Sequence, residues 1–327
     1  MIYDCFTFFN ELDILELRLN TLHHVVDKFV LVEATKTHSN VDKELHYLKN
    51  KERFSKFEDK IIHLVVEEFP EVLNSWTIEN YQRNFILKGL EDCASDDLIL
   101  ISDVDEIPRP ELIVDLVIDN SIHCFVQELS YFFFNYKDLN HLYWIGGTRA
   151  LKYRTISELR YSETLVRYND DTFPKALNVG LTPTKIRLYE DCIYIYNGGW
   201  HFSYLGGVKT ILSKVKAFAH QELNNDEFLS ISRLERCLNT GEDVFGRPGH
   251  KFTAVPIDKS FPSDLQEKLS DYERFVWPHQ GLSKEYLFQR RYQLARIKVK
   301  LFVKRKLLFP VSLLRRCYMY IADGTSR

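Results

Sequence analysis

Much that would classify a chain quickly is missing from these 327 residues. Only 2 Met are present, and the 6 Cys (Cys5, Cys93, Cys124, Cys192, Cys237, Cys317) lie far apart with no C-x-x-C pair. That spacing indicates neither a zinc site built on cysteines nor a small disulfide framework, and it favours a reducing compartment. No apolar run is long enough to span a bilayer. Met1 leads straight into Ile2-Tyr3-Asp4-Cys5-Phe6 without a basic n-region, so neither a signal peptide nor a type II anchor is expected, and a cytoplasmic location is. No internal repeat or low-complexity linker occurs, which argues against an array of small modules. Residues 9 to 19 contain no glycine. That argues against the Gly-rich phosphate loop expected after the first strand of a nucleotidyltransferase that makes nucleotide sugars.

What is present suits a globular enzyme. The composition is 45% hydrophobic and 14% aromatic, with 18 Tyr and 23 Phe, enough for a sizeable core and aromatic-lined clefts. Net charge is uneven along the chain. Arg290 to Arg316 holds ten Lys/Arg and no Asp/Glu, so the total of −3 divides into a basic tail of +10 and a remainder of −13. An acidic body and the lack of a recognition module argue against a nucleic-acid partner.

The most informative stretch is Leu98-Ile99-Leu100-Ile101-Ser102-Asp103-Val104-Asp105-Glu106-Ile107-Pro108. Four apolar residues read as a buried strand, and Pro108 and Pro110 end the extended segment. Residues two apart in an extended chain share a side, so Asp103 and Asp105 can address one cation together. Hard oxygen ligands suit Mg²⁺ or Mn²⁺ bridging to substrate phosphates, whereas the plainer reading is an acidic turn.

Short apolar strands alternate with helical segments. Cys5 to Phe9, Phe29 to Ala34, Ile61 to Val66 and Leu98 to Ile101 read as strands, with helices from Glu11 and around Ile78 to Leu90. This predicts an α/β domain with a largely parallel sheet flanked by helices, whose ligands bind beyond the carboxyl ends of the strands. Phe9-Asn10-Glu11, Glu33 to His38 and Asp103 to Glu106 all fall at those ends. Cys124 to Tyr136 reads as one long aromatic strand and Ile193 to Tyr196 as another, ending in Asn197-Gly198-Gly199-Trp200-His201. The glycines permit a tight turn or close approach to a ligand. Trp200 would sit at the rim, and His201 is either a structural histidine or a third metal ligand. Ser203 to Arg236 reads as mostly helical.

The domain is expected to occupy residues 1–285, with a basic amphipathic tail over 286–327. Cations there interleave with Tyr292, Leu294, Ile297, Val299, Leu301, Phe302 and Val303. Two readings stay open: a segment lying on an anionic membrane through residues 290–316, or a helix packed on the domain with a solvated basic face.

The chain resembles glycosyltransferase family 17. The likeness rests on Phe9-Asn10-Glu11-Leu12-Asp13-Ile14-Leu15-Glu16-Leu17-Arg18-Leu19, Val26-Asp27-Lys28-Phe29-Val30 with Glu33 and Thr37, and Tyr81-Gln82-Arg83-Asn84-Phe85. It continues through Asp103-Val104-Asp105-Glu106-Ile107-Pro108, Gly199-Trp200-His201-Phe202-Ser203 and the weaker Thr240 to Gly246. The resemblance implies a GT-A-like fold, UDP-N-acetylglucosamine as donor, Mn²⁺ or Mg²⁺ as cofactor and an inverting course. A glycan acceptor, lipid-linked or a surface-polysaccharide precursor, fits a cytosolic chain.

On that reading Asp105, with Asp103 and His201, holds the metal against the diphosphate. Asn10, Glu11, Glu33, Thr37 and Trp200 line the donor side. Arg83 either grips a phosphate or pairs with a carboxylate of its own helix face. The general base is Glu106 or Glu128. Beside this stand a nucleotidyltransferase and a non-catalytic glycan-binding protein.

Overall fold

The computed structural model describes residues 1–69, 74–158, 181–218, 229–279 and 281–323, with side chains described as far as residue 304. Its centre is a seven-stranded sheet in the order β11-β6-β10-β4-β1-β2-β3. These strands are β1 (Ile2–Phe8), β2 (Lys28–Ala34), β3 (Ile61–Val66), β4 (Leu98–Asp103), β6 (His123–Phe125), β10 (Arg149–Lys152) and β11 (Ile193–Ile195). β3, β2, β1 and β4 run parallel, β10 is antiparallel to both β4 and β6, and β11 is again parallel to β6. The helix-flanked, mostly parallel α/β sheet expected of a GT-A-like domain is the one found. A second sheet has the order β5-β12-β7-β9, from Glu106–Pro108, Gly199–Ser203, Gln127–Tyr131 and Tyr143–Trp144, and β8 (Tyr136–Asp138) pairs with β13 (Phe252–Ala254).

Both faces of the main sheet are buried, which is why its strands read as continuous apolar runs. Phe6, Phe8, Phe29, Leu31 and Leu100 pack on one side with Leu15 and Leu19 of α1 (Leu12–Leu22). Cys5, Val30, Val32, Ile99 and Ile101 face the other side, against Ile86 and Leu90. A third, aromatic cluster joins Phe132, Phe133 and Tyr136 to Ile211, Leu234 and Phe252.

Two elements differ from the sequence reading. Cys124 to Tyr136 is not one strand. β6 stops at Phe125, β7 joins the other sheet, and Phe132 takes a positive φ of 67° where the chain turns into the aromatic cluster. The helix expected to Leu90 is α-helical only over Ser75–Asn84 and tightens to 3₁₀ over Phe85–Leu90. In the helical stretch after Ser203, Gly207–Ala217 and Ile231–Thr240 are helices, while 219–228 lie outside the described residues.

The tail begins as a helix, Lys284–Asp323, and its first turns are built into the domain. Tyr286 is buried, Arg290 pairs with Glu128, and the buried Gln293 accepts from Leu142 N–H (2.8 Å) and donates to the Leu139 carbonyl. Residue 286 is therefore no free hinge, because a buried glutamine and an ion pair cross the expected boundary.

The strand-end turn is held from beneath by one side chain. Arg18 on α1 is fully buried, with Nε 2.8 Å and Nη2 2.5 Å from the Asp4 carboxylate of β1. Its Nη1 donates to the carbonyls of Asp103 (3.1 Å), Val104 (3.2 Å) and Glu106 (2.8 Å), and Nη2 to Ser102 Oγ (2.6 Å). A planar guanidinium with five donors suits this set and an ammonium does not. Arg18→Leu is expected to lower unfolding free energy by about 3–5 kcal/mol, the cost of stranding a buried charge. Arg18→Lys should recover part of the loss without the carbonyl contacts. Urea unfolding checks both, and a loss below about 1 kcal/mol for Arg18→Leu would contradict the clamp.

Candidate functional site

Beyond the carboxyl ends of β1, β2 and β4 lies a cavity of about 260 Å³, slightly smaller than the usual ligand site. It opens where the strand order reverses: β1 leads to β2 on one side and borders β4 on the other, with Thr7 and Asp103 in register. Thr7 to Phe9 come from β1, Lys36 to His38 from the loop after β2, Glu79 and Arg83 from the Ser75–Asn84 helix, and Asp103 to Asp105 from the end of β4. β12 contributes His201 and Ser203. It can approach β5 because Gly199, at φ +135°, has no Cβ; one there would fall 2.2 Å from the Ile107 carbonyl oxygen.

Asp103 and Asp105 both face the cavity, each beside its own cations. Asp103 meets Arg83 Nη2 (3.0 Å) and Arg187 Nη2 (3.6 Å); Asp105 meets Lys214 Nζ (2.9 Å) and His201 Nε2 (3.5 Å). Burial alone would raise both carboxyls. Arg83 and Arg187 reverse this for Asp103, and Lys214 and His201 for Asp105, so both sit well below the ordinary carboxylate range. Burial likewise pulls the His201 imidazole down, but Asp105 outweighs it and holds the group above its usual value.

Two carboxylates kept ionised, with the His201 nitrogen beside them, are a donor set that fits Mn²⁺ or Mg²⁺. His201 Nδ1 is buried without a hydrogen-bond partner. The ligand atoms of Asp103, Asp105 and His201 are not gathered within 4.8 Å of one another, as those of another trio in this chain are.

Other expected residues divide cleanly. Glu11 lines the cavity, accepts from Phe9 N–H (3.3 Å) and Asn10 N–H (3.0 Å), and lies 3.3 Å from Lys214. Asn10 itself stands just outside the lining. Thr37 lines it, with its hydroxyl bonded to Ser39 Oγ (2.9 Å). Arg83 pairs with Glu79 (2.9 Å) one turn earlier, as one reading expected, and also lines the cavity.

Four expectations are corrected. Glu33 is fully buried behind the crevice, accepting from Tyr47 N–H (3.0 Å) and lying near His63 (3.2 Å) and Lys43 (3.7 Å); it braces Lys43, which does line the cavity. Trp200 points under the site rather than at its rim, donating from Nε1 to the Ser260 carbonyl (2.7 Å) with Arg109 over its ring. Glu106 is 1% exposed and fully engaged. Arg187 grips both its oxygens (2.6 and 2.8 Å), and Trp144 Nε1 (2.7 Å) and Asp103 N–H (3.2 Å) donate to it. Glu128 is buried on β7, beside Arg290 (2.5 Å) and Lys137 (3.7 Å), away from the cavity. Neither glutamate can take a proton from a ligand there.

Sequence reasoning missed Lys214, Lys36, Lys43, Glu79 and Arg187. Glu79 carried a signal, since E-x-x-x-R places it one helical turn before Arg83. Lys214 carried none, because a lysine within a helix is ordinarily a solvated one.

The family model described as Glycosyltransferase family 17 matches residues 1–164. Beta-1,4-mannosyl-glycoprotein 4-beta-N-acetylglucosaminyltransferase of Homo sapiens and that of Rattus norvegicus are each 28% identical over 107 residues, or 30% of this chain. The match spans 20% of the length of those relatives. Among solved structures, S. aureus TarS 1–349 aligns with 69% of this chain and 66% of its own at 15% identity and a TM-score of 0.33. Glucosyl-3-phosphoglycerate synthase from Mycobacterium tuberculosis, in complex with Mn²⁺, UDP-glucose and glycerol 3-phosphate, aligns over 40% of this chain and 44% of its own at 13% identity and a TM-score of 0.24. Scores this low carry no functional inference.

The Glu128 cluster gives a pH prediction. Burial draws the Lys137 ammonium from 10.5 down to about 8 despite Glu128. Between those values the unfolded chain binds more protons than the folded one, so this group makes stability rise with pH. Lys137→Met should therefore be more stable than wild type at pH 7, by up to about 3 kcal/mol, with the gap closing toward pH 10.5. Urea unfolding at pH 7 and pH 10 checks this; a constant gap would contradict it.

Proposed function

Because the chain belongs to glycosyltransferase family 17, we propose that it transfers a sugar, N-acetylglucosamine from UDP-N-acetylglucosamine, with inversion, to a glycan or lipid-linked glycan acceptor. The observation that carries this is the pairing of Asp103 and Asp105 at the mouth of a cavity ringed by cations, at the strand ends where a nucleotide binds. Asp103 and Asp105, with His201 beside them, would hold Mn²⁺ or Mg²⁺. When bound, the cation supplies Lewis acidity toward a diphosphate leaving group.

The chain's own residues do the rest. Lys214 and Arg83 bring positive charge to the two aspartates and to the same cavity, where an anionic leaving group is neutralised. Lys36, Thr37 and Lys43 line the wall where β2 ends and offer donors to the nucleotide. With Glu106 and Glu128 sequestered, Glu11 and Glu79 are the glutamates that face the cavity, and one of them takes the acceptor hydroxyl proton. Trp144, 5.2 Å from the His201 ring, is more than one-third exposed.

We propose further that the basic helix lies on a membrane surface. Leu287, Phe288, Val299, Phe302 and Val303 are exposed among its cations, an arrangement suited to the anionic cytoplasmic face of a membrane. No helix among the described residues is long and apolar enough to cross a membrane.

Release of UDP from UDP-N-acetylglucosamine should require Mn²⁺ or Mg²⁺ and stop in chelator. Asp105→Asn should abolish it while the far-ultraviolet spectrum stays unchanged. Of Glu11→Gln and Glu79→Gln, the base variant should lose about 10²–10⁴-fold in kcat. Full turnover by Asp105→Asn, or by chelated wild type, would defeat the proposal. Replacing Phe288, Val299 and Val303 by Ser should lower co-sedimentation with phosphatidylserine vesicles; unchanged sedimentation would reject the membrane contact.

A further inference from the structure

On the far side of the aromatic cluster three side chains converge that the transfer chemistry does not use. Asp138 ends β8, His141 follows three residues later, and His250 comes two residues before Phe252, the β13 partner of Asp138 in the antiparallel register. The antiparallel pairing therefore brings a D-x-x-H piece and a distant histidine to one point. One ligand atom from each lies within 4.8 Å of the other two.

The geometry aims them. Asp138 Oδ1 accepts from Asn140 N–H (3.0 Å) and Lys251 N–H (3.3 Å), which fixes the carboxylate with Oδ2 toward the imidazoles. His141 Nδ1 lies 3.0 Å and His250 Nδ1 2.5 Å from that same oxygen. The two rings stack at 4.2 Å between centroids, and His250 continues the stack onto Phe252. Asp138 is fully buried, His250 nearly so, and the His141 side chain is half exposed, leaving one side open to water.

We propose that Asp138, His141 and His250 form a metal site distinct from the cavity, taking a borderline transition-metal ion such as Zn²⁺. Two imidazole nitrogens and one carboxylate oxygen, with an open fourth position, are the donor set of tetrahedral zinc. The backbone N–H groups on Oδ1 are the outer contacts that orient such a ligand. Metal–ligand lengths of about 2.0–2.2 Å need the donors slightly farther apart than they stand. The half-exposed His141 can supply that adjustment. The oxygen-rich Asp103–Asp105 pair favours harder ions, so the two sites differ in the metal they select. Bound there, the ion ties the Gly249–Lys251 segment to the end of β8.

The test uses the full chain, stripped with chelator and titrated with Co²⁺ and Zn²⁺. Wild type and Asp105→Asn should both take up one equivalent of Co²⁺ with tetrahedral d–d absorption, displaced by Zn²⁺, and gain in Tm. His141→Gln, exposed enough to leave the fold intact, should bind at least tenfold more weakly and lose the Tm gain while its metal-free Tm stays unchanged. His250→Gln should lose binding likewise. The proposal is overturned if wild type shows no tetrahedral band, if His141→Gln binds as wild type does, or if Asp105→Asn alone removes the bound ion.

Discussion

A single buried guanidinium organises this protein. Arg18 leaves α1 beneath the sheet, is neutralised by Asp4 on β1, and donates to three carbonyls of the turn that carries Asp103 and Asp105. A turn at the end of a central strand has carbonyls that no neighbouring strand satisfies, and leaving them buried without donors is costly. Arg18, itself fully buried, supplies those donors. The two carboxylates leave the same turn toward the cavity, and the first helix and the acidic motif are parts of one device.

Above the turn the site is a balance of charge. Glu11, Glu79, Asp103 and Asp105 face Lys36, Lys43, Arg83 and Lys214 across a small cavity. Each of Asp103 and Asp105 stays ionised because its own cations outweigh the penalty of burial, and Lys214 stays protonated for the reciprocal reason. Such a site presents fixed charge of both signs before any ligand arrives, so it needs little reorganisation to meet a charged group. Behind it, Arg187 occupies both oxygens of Glu106 and also approaches Asp103, which makes Glu106 a strut beneath the two aspartates.

Residues that resemble one another in sequence ended in different roles for reasons of direction. Asp103, Asp105 and Glu106 are nearly consecutive acids, yet the turn at Val104 and Asp105 between β4 and β5 leaves two facing the cavity and buries Glu106 against Arg187. Trp200 and His201 divide in the same way on β12: the histidine faces the cleft and the tryptophan the core. Glu33 ends a strand beside the crevice, but its alternation points it toward the start of the His46–Lys49 helix. The basic tail likewise divides. Its first turns are locked by Arg290 and Gln293, while exposed apolar and cationic residues continue beyond.

The amino-acid sequence by itself determined the elements and their class. Continuous apolar runs of strand length, separated by helical periodicity, can bury both faces only in a helix-flanked parallel sheet, and acids at strand ends then fall on one edge of it. It also determined the acidic pair, because that pattern is local. Tertiary structure alone decided which acids face the cavity and which are sequestered, that Lys214 and Arg187 come from more than eighty residues away to balance them, and that Asp138 finds His250. Those outcomes depend on strand register and on the twist that brings distant segments together, and no local spacing encodes either.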